Sequence, residues 1–332
     1  MTFLKLLPYV ILIFILGCSG DETVKTSSST NNSILNEKPV FNLTIHSIGT
    51  RYDVLLNGIT VYADDNGGGQ VNTTLPINHW MRSGENSLEL VVFPDEEGAP
   101  INEGSTVDVE LFVSNDGLED NQYRLGAFNF SGVGHLNQSS LDGYKLETVH
   151  FKNNTDGEVV VSKVEVARDN VFDGSYEYRR TFMIPSNLPL WEFFNSDDVP
   201  DEPELSEDAY WALSAELRDK LKFIQNKLIA GDVDDVMPLF KERNSELDMA
   251  FYYPEGTMEA KLRDSFYVDI PQLDMLELEG RYVSYVNENN MKLASVYRNL
   301  KPAISGNYKD GPGSLKFPVM FRKQDGKWII TR

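Results

Sequence analysis

The stretch VLLNGITVYAD, residues 54–64, places Asn57 and Gly58 between two runs that are rich in β-branched and aromatic residues. A two-residue hairpin turn of type I′ needs positive φ at both central residues, and Asn-Gly adopts this conformation readily. The stretch therefore predicts a β-hairpin that turns at residues 57–58. It also favours an antiparallel sheet in the surrounding chain.

The sequence on both sides of this hairpin continues the β pattern. Phe41, Leu43 and Ile45 alternate with polar neighbours, which is typical of a strand with one buried face. Further predicted strands are SLELVVF (87–93), TVDVELFVS (106–114), YKLETVHF (144–151), EVVVSKVEVA (158–167) and YEYRRTFMI (176–184). Short strands bounded by turn residues, with no helical period between them, predict an N-terminal all-β antiparallel sandwich over residues 40–185.

A proline-rich acidic segment, PSNLPLWEFFNSDDVPDEPEL (185–205), interrupts the strand pattern. We interpret residues 186–205 as the hinge between two domains. Trp191, Phe193 and Phe194 are too apolar for a solvated linker, so we expect them to pack between the domains.

The period becomes helical after the hinge. Ser206 is a predicted N-cap, and apolar residues then recur at three- and four-residue spacing as far as Gly231, a predicted C-cap. Asp232 is the predicted cap of a second helix, which Pro238 should kink, and a third helix is expected around residues 258–266. Strands are then predicted at LELEG (276–280), RYVSYV (281–286), MKLASVY (291–297), SLKFPVMFRK (314–323) and KWIIT (327–331). Residues 206–332 are thus a predicted α+β domain, with helices packed on an antiparallel sheet.

Two family resemblances follow from these segments. The turns and strands of residues 55–94 resemble accessory β-sandwich modules of the immunoglobulin-like or jelly-roll kind. LIAGDVDDVMPLF (228–240) and VMFRKQDGKWIITR (319–332) resemble the NTF2-like, SnoaL-type superfamily. This second resemblance implies a long helix lying in a strongly curved sheet.

The amino-terminal segment reads as a signal peptide. Lys5 precedes an apolar run from Leu6 to Leu16, which as a helix would span only about half of a bilayer core. Ile15-Leu16-Gly17-Cys18 resembles the bacterial lipobox, which implies a signal peptide over residues 1–17 and lipidation at Cys18. In lipoproteins of this type the residue after the cysteine influences sorting, and Ser19 favours the outer membrane if the cell has one. We expect the protein to face the periplasm. The polar residues 18–39 form a predicted flexible tether.

Charge and motifs exclude several classes of function. The chain has 30 Lys and Arg against 51 Asp and Glu, a net charge of −21, and no basic run, so nucleic-acid binding is not expected. Lipidation would occupy the only cysteine, and the four histidines lack metal-ligand spacing. We therefore predict no metal and no cofactor. The common hydrolase, metalloprotease and nucleotide-binding motifs do not occur in the sequence.

The candidate contacts for a ligand or partner are Trp80, Trp191, Tyr282 and Tyr285. The sequence predicts a non-catalytic binding protein of the envelope with a protein partner, and an immunity-type protein that meets a basic toxin is one specific version. Two alternatives remain: an NTF2-like isomerase or dehydratase that uses Asp248 or Asp269 beside a tyrosine, and a carbohydrate-binding protein with Trp80 exposed for stacking. No catalytic residue is assigned.

Overall fold

The structure, a computed structural model, describes residues 33–35, 38–64, 69–96, 99–115, 122–133, 135–136, 149–151, 160–161, 165–171, 174–184, 188–278, 283–287, 291–298 and 301–332. Within these ranges the chain forms four antiparallel sheets, one parallel pair of strands and several helices.

The first half of the chain consists of strands and turns. Its strands are β1 (Ser33–Leu35), β2 (Pro39–Ile48), β3 (Arg51–Leu56), β4 (Ile59–Asp64), β5 (Gln70–Pro76), β6 (Gly84–Phe93), β7 (Thr106–Asn115), β8 (Gln122–Ser131), β9 (His135–Leu136), β10 (Val149–Phe151), β11 (Val160–Val161), β12 (Glu165–Val171) and β13 (Ser175–Ile184). A short 3₁₀ helix, Asn78–Trp80, lies between β5 and β6.

Two antiparallel sheets share one hydrophobic core in this half. One has the strand order β11–β13–β6–β3–β4, with β12 also paired to β13, and the other has the order β5–β2–β7–β8–β9. Alternate residues of both sheets are buried in the same cluster, for example Phe41 and Leu43 of β2 and Leu88 and Leu90 of β6. Each such side chain contributes about 1.5–3 kcal/mol of burial free energy. This arrangement is consistent with a β-sandwich.

The predicted hairpin at residues 57–58 is confirmed. β3 pairs with β4, and Asn57 and Gly58 have φ angles of 55° and 76°. Predicted strands coincide with β6, β7 and β13, whereas β5 and β8 were not predicted. Of the predicted strand at 144–151, the described part is β10.

The segment predicted as a flexible tether contains a strand. β1 pairs in parallel with β10, through Ser33 with Val149 and Leu35 with Phe151. Ile34 and Leu35 give this part of the segment two large apolar side chains, which suits a strand better than the polar residues around it. The structure thus places β1 and the first residue of β2, Pro39, within residues 18–39, and the tether itself stays a prediction.

The second half begins with helices and ends with strands. Its α-helices are α1 (Glu207–Ala230), α2 (Val233–Val236), α3 (Lys241–Ala250) and α4 (Thr257–Asp269), and its 3₁₀ helices, with those of the hinge, are Glu192–Asn195, Glu202–Glu204, Met237–Phe240 and Ile270–Gln272. The strands are β14 (Leu273–Met275), β15 (Val283–Asn287), β16 (Ala294–Arg298), β17 (Lys301–Pro302), β18 (Ile304–Tyr308), β19 (Ser314–Phe317), β20 (Met320–Gln324) and β21 (Lys327–Ile330). They form two sheets, β14–β18–β19 and β15–β16–β20–β21, with β17 paired to β16.

Helix α1 has the predicted boundaries. The Ala209 N–H donates to Ser206 Oγ at 3.3 Å, and Gly231 ends the helix with a φ of 81°. The face that carries Leu217, Leu221 and Ile224 is buried in the second hydrophobic cluster, which also contains residues of β15 and β16.

The next predicted helix is interrupted as expected at Pro238. A 3₁₀ turn, Met237–Phe240, separates α2 from α3, because proline lacks the N–H that a continuous helix would use. Asp232 stands at the N-cap position, but its side chain makes no capping bond and accepts from Lys227 Nζ instead.

The predicted strands of this half need two corrections. LELEG was placed at 276–280, but β14 ends at Met275, and Leu276–Leu278 is not strand. SLKFPVMFRK is split into β19 and β20 around Pro318, which cannot donate to a sheet ladder. β18 was not predicted.

The hinge aromatics join the two halves. Trp191 and Phe193 have no exposed surface and belong to the first hydrophobic cluster, as do Ala250 of α3 and Leu293 from the second half. The prediction that these aromatic residues pack between the halves is confirmed, and the first core is completed by residues of the second half. The exact domain boundaries stay a prediction.

Candidate functional site

The 3₁₀ turn at Asn78–Trp80 is the point where the two halves meet. The buried side chain of Asn78 accepts from the Phe41 N–H at 2.7 Å, and its Nδ2 donates to Pro39 O at 2.8 Å and to Ala250 O at 2.9 Å. One amide therefore links β2, this turn and the end of α3. Buried hydrogen bonds of this kind are costly to break, because each lost partner leaves a polar atom without compensation.

A buried arginine lies beside this turn. The Arg332 guanidinium carbon is 4.7 Å from the ring centroid of Phe193, 5.2 Å from that of Trp80 and 5.9 Å from that of Trp191. Its Nη1 pairs with Glu246 and its Nη2 donates to His79 O at 2.8 Å. We call Arg332, Glu246, Trp80, Trp191 and Phe193 the arginine cage. It holds a cation from the end of the sheet against aromatic faces of the first half and the hinge.

The hinge backbone is tied to the same carboxylate. The Glu192 N–H donates to the second oxygen of Glu246 at 2.7 Å, and Trp191 Nε1 donates to Met81 O at 2.6 Å. Glu246 thus accepts from both the hinge and Arg332. The position of the hinge is fixed by hydrogen bonds as well as by apolar packing.

Burial sets the charge states around the cage. Burial lowers the pKa of Arg332, although the Glu246 carboxylate opposes this, and burial together with the Arg332 charge lowers the pKa of Arg243 to about 10. Burial, then Arg332, then Arg243 hold the pKa of His79 well below its ordinary value. At neutral pH both arginines are charged and His79 is neutral.

The environment of His79 does not suit it for proton transfer to a ligand. Its ring centroid is 4.7 Å from that of Trp80 and 5.4 Å from that of Phe251. Nδ1 is buried and has no hydrogen-bond partner among the described residues. His79 is therefore a packing residue of the junction.

The predicted contact residues are mostly core residues. Trp80 is 9% exposed, Trp191 and Tyr285 are fully buried, and Tyr282 lies outside the described residues, as does Cys18. As they stand, Trp80, Trp191 and Tyr285 cannot meet a partner at the surface. The burial of Trp80 does not fit the exposed stacking platform that the carbohydrate-binding alternative requires.

Tyr285 connects the hinge to the second half. Its hydroxyl donates to Pro200 O at 2.6 Å, and its backbone N–H donates to Ser214 Oγ of α1 at 3.0 Å. Burial raises its pKa, followed by the charges of Glu202 and Asp201. These contacts satisfy the hydroxyl and the backbone N–H of the buried Tyr285.

The carboxylates considered for catalysis have structural partners. Asp248 accepts from the backbone N–H groups of Gly256 and Met258, each at 2.8 Å, and so caps α4. Asp269 accepts from Ser265 Oγ. Within the described ranges, neither carboxylate is hydrogen-bonded to a tyrosine. The described residues also include no group of three or more His, Cys, Asp or Glu placed to hold a metal.

A solvent-open cleft of about 270 Å³ lies where the hairpin, the hinge and the second half come together. Its walls are polar on the whole and consist of Asn57, Arg82, Glu85, Asn86, Ser87, Phe194 and Lys292. We call it the junction cleft. It is formed by residues from both halves of the chain.

The walls of the junction cleft are held by specific contacts. Asn57 Nδ2 donates to Asn86 Oδ1 at 3.0 Å, and the Arg82 guanidinium lies 5.5 Å above the ring of Phe194. Lys292 Nζ is 2.7 Å from an oxygen of Asp198 and donates to Ser196 O at 2.7 Å. The cleft therefore offers amide groups, both signs of charge and one aromatic ring. These groups suit a polar peptide segment better than an apolar ligand.

Sequence reasoning did not identify this cleft. The Asn57-Gly58 turn was predicted as a hairpin, but nothing in the sequence brings Arg82, Phe194 and Lys292 together. Glu246 and Arg332 were also missed, because their ion pair joins elements 86 residues apart.

Comparison with protein-family models, with curated proteins and with solved structures finds no match to this chain. In the part of the chain that the structure describes, no helix combines the length and hydrophobicity needed to cross a bilayer.

Proposed function

We propose that this protein is a lipid-anchored envelope lipoprotein that acts as a non-catalytic binding protein. The observation that carries the binding role is the junction cleft, whose walls come from both halves and the hinge. Sites between packed domains are common positions for ligand and partner binding. The immunoglobulin-like or jelly-roll assignment of the first half and the NTF2-like assignment of the second belong to this proposal.

The anchor rests on Ile15-Leu16-Gly17-Cys18 after Lys5 and the apolar run. We place the protein in the outer membrane, facing the periplasm. There a tethered binding protein meets its partner at a raised local concentration. The net charge of −21 would speed association with a basic protein, and the immunity-type version of the proposal uses this attraction.

Replacing Cys18 tests the anchor. In cells fed labelled palmitate, Cys18→Ala should abolish lipid labelling and leave the precursor uncleaved, because the processing peptidase acts on the lipidated cysteine. Wild-type protein is the control. Normal maturation of the variant would refute the lipoprotein assignment.

Changing one cleft wall tests the binding role. Arg82 is exposed and stacks on Phe194, so Arg82→Glu alters the charge of the cleft without opening the core. The matched control is Lys220→Glu, at an exposed position of α1. After cross-linking and purification from solubilised membranes, the partner captured by the wild type should be lost with Arg82→Glu and kept with Lys220→Glu. Equal capture by both variants would exclude the junction cleft as the binding site.

A further inference from the structure

Exposed aromatic and apolar groups surround the position where the amino-terminal segment enters the folded chain. The Tyr252 hydroxyl donates to Pro39 O at 3.1 Å, and Lys38 Nζ lies 5.9 Å from the Tyr252 ring centroid. Tyr252 has a φ of 57°, a left-handed conformation that turns the chain sharply after α3. The start of β2 is therefore held against this turn.

The last turn of α3 and the residues that follow it expose two large side chains to solvent. Met249 is 49% exposed and Tyr253 is 42% exposed. Lys261 Nζ of α4 lies 4.6 Å from the Tyr253 ring centroid. Tyrosine and lysine both combine an apolar body with a polar end, and this combination is typical of side chains at a membrane–water interface.

We propose that Lys38, Met249, Tyr252, Tyr253 and Lys261, the tyrosine patch, lie against the bilayer that holds the lipid anchor. This inference rests on the proposed function, because it requires lipid at Cys18. It adds which face of the protein meets the membrane. The occupant of the patch is the headgroup region of a lipid bilayer.

The length of the segment between Cys18 and β1 supports a bilayer as the occupant of the patch. Residues 19–32 separate Cys18 from β1, and the predicted tether would give a segment of that length an end-to-end distance of about 20 Å. Ser33 is five residues before Lys38, which limits their separation to about 17 Å. The tyrosine patch therefore lies within reach of the membrane that carries the anchor. Tethering allows a weak contact to be populated, because the bilayer is always near.

The net charge of the protein limits the lipid composition of the bilayer that the patch can contact. The chain carries a net charge of −21, and the exposed Glu255 lies close to the patch in sequence, so a strongly anionic bilayer would repel the protein. Zwitterionic headgroups offer phosphate oxygens to the two lysines without that repulsion. Vesicles of phosphatidylethanolamine and phosphatidylcholine are the appropriate probe.

A single spin label tests the inference in the lipidated full chain. Cys18 is the only cysteine, and its sulfur is blocked when lipidated, so a nitroxide reacts only with an introduced thiol. Met249→Cys places the label in the patch, and Met183→Cys, at a position 41% exposed on β13, is the matched control. In these vesicles the label at 249 should lose accessibility to a water-soluble nickel chelate and gain accessibility to oxygen. The label at 183 should stay accessible to the chelate. Adding Tyr253→Glu should restore chelate access at 249.

Three outcomes would overturn the inference. Equal chelate accessibility of the labels at 249 and 183, with Cys18 blocked, would show that the tyrosine patch does not contact the bilayer. The proposed function would be unaffected. Protection at 249 that rises with protein concentration and needs no vesicles indicates a second copy of the chain as the occupant. Labelling of Cys18 itself in the wild type shows that the anchor is absent, and this removes the proposed function together with the inference.

Discussion

Arg332 shows how a single residue can hold two parts of a chain together. Both it and Glu246 are almost fully buried, so each charge depends on the other for compensation. Removing one member of a buried ion pair costs about 3–5 kcal/mol, because the remaining charge is left without a partner. The three aromatic rings of the arginine cage support the cation but cannot replace a carboxylate.

We therefore expect Glu246→Gln to lower the free energy of unfolding by about 3 kcal/mol or more. The matched control is Glu259→Gln, which removes a carboxylate from the more exposed pair with Arg263 and should cost no more than about 1 kcal/mol. Urea unfolding at neutral pH measures both values. Equal losses of unfolding free energy for the two substitutions would show that the arginine cage does not stabilise the contact between the two halves.

His79 makes the stability of the folded protein depend on pH. Its folded-state pKa lies well below the ordinary value, mainly because of burial, so the unfolded chain binds a proton at His79 before the folded chain does. Its contribution to stability is fully present above about pH 6.5 and is lost as the pH falls below that value. We expect His79→Gln to lose less stability than the wild type between about pH 7.5 and about pH 5.5. Urea unfolding at several pH values checks this, and parallel curves for the two proteins would contradict it.

At the scale of elements, the β14–β18 pairing depends on a glycine. A Cβ at Gly306 would lie 2.8 Å from Leu273 Cβ and 3.1 Å from Asp274 O, which is closer than packed atoms allow. We expect Gly306→Ala to destabilise the protein by about 1–3 kcal/mol, since the strands must separate to admit a methyl group. Gly69→Ala is the control, because among the described residues a Cβ there meets nothing within 4 Å. Thermal unfolding of the two variants compares them directly, and similar midpoints would contradict the expected close packing.

Elements with a strong local signal were predictable from the sequence. The Asn57-Gly58 hairpin and the two ends of α1 depend on backbone conformations that only a few residue types favour, so short stretches determine them. β5 and β18 were missed because their residues, such as QVNTTLP and ISGNY, show no clean alternation. The pairing of Ser33–Leu35 with β10 depends on a partner more than one hundred residues away, and local composition does not show it.

The candidate site was predictable only in part, for a related reason. Aromatic residues of the hinge were correctly expected between the halves, because so much apolar surface needs cover. Trp191 was also predicted to contact a ligand or partner, but the structure buries it, which is the more common state of tryptophan in a packed core. The junction cleft combines residues from four separate segments, and only the tertiary packing brings them together.

At the scale of the whole molecule, the shared core predicts cooperative unfolding. Ala250 and Leu293 of the second half belong to the core of the first, and Asn78 bonds to Ala250 O. We expect the chain from residue 33 to 332 to unfold in one calorimetric transition, with equal calorimetric and van't Hoff enthalpies. Two resolved transitions would show that the halves are energetically independent.

The contact between Arg332 and His79 has a consequence for biogenesis. The two residues are 253 positions apart, and a chain that is synthesised from its amino end completes His79 long before Arg332. During that interval the rings of Trp80 and Trp191 lack the cation that completes their surroundings. We expect the junction to be the last part of the protein to close, and a chaperone that binds exposed aromatic side chains to recognise the unfinished surface.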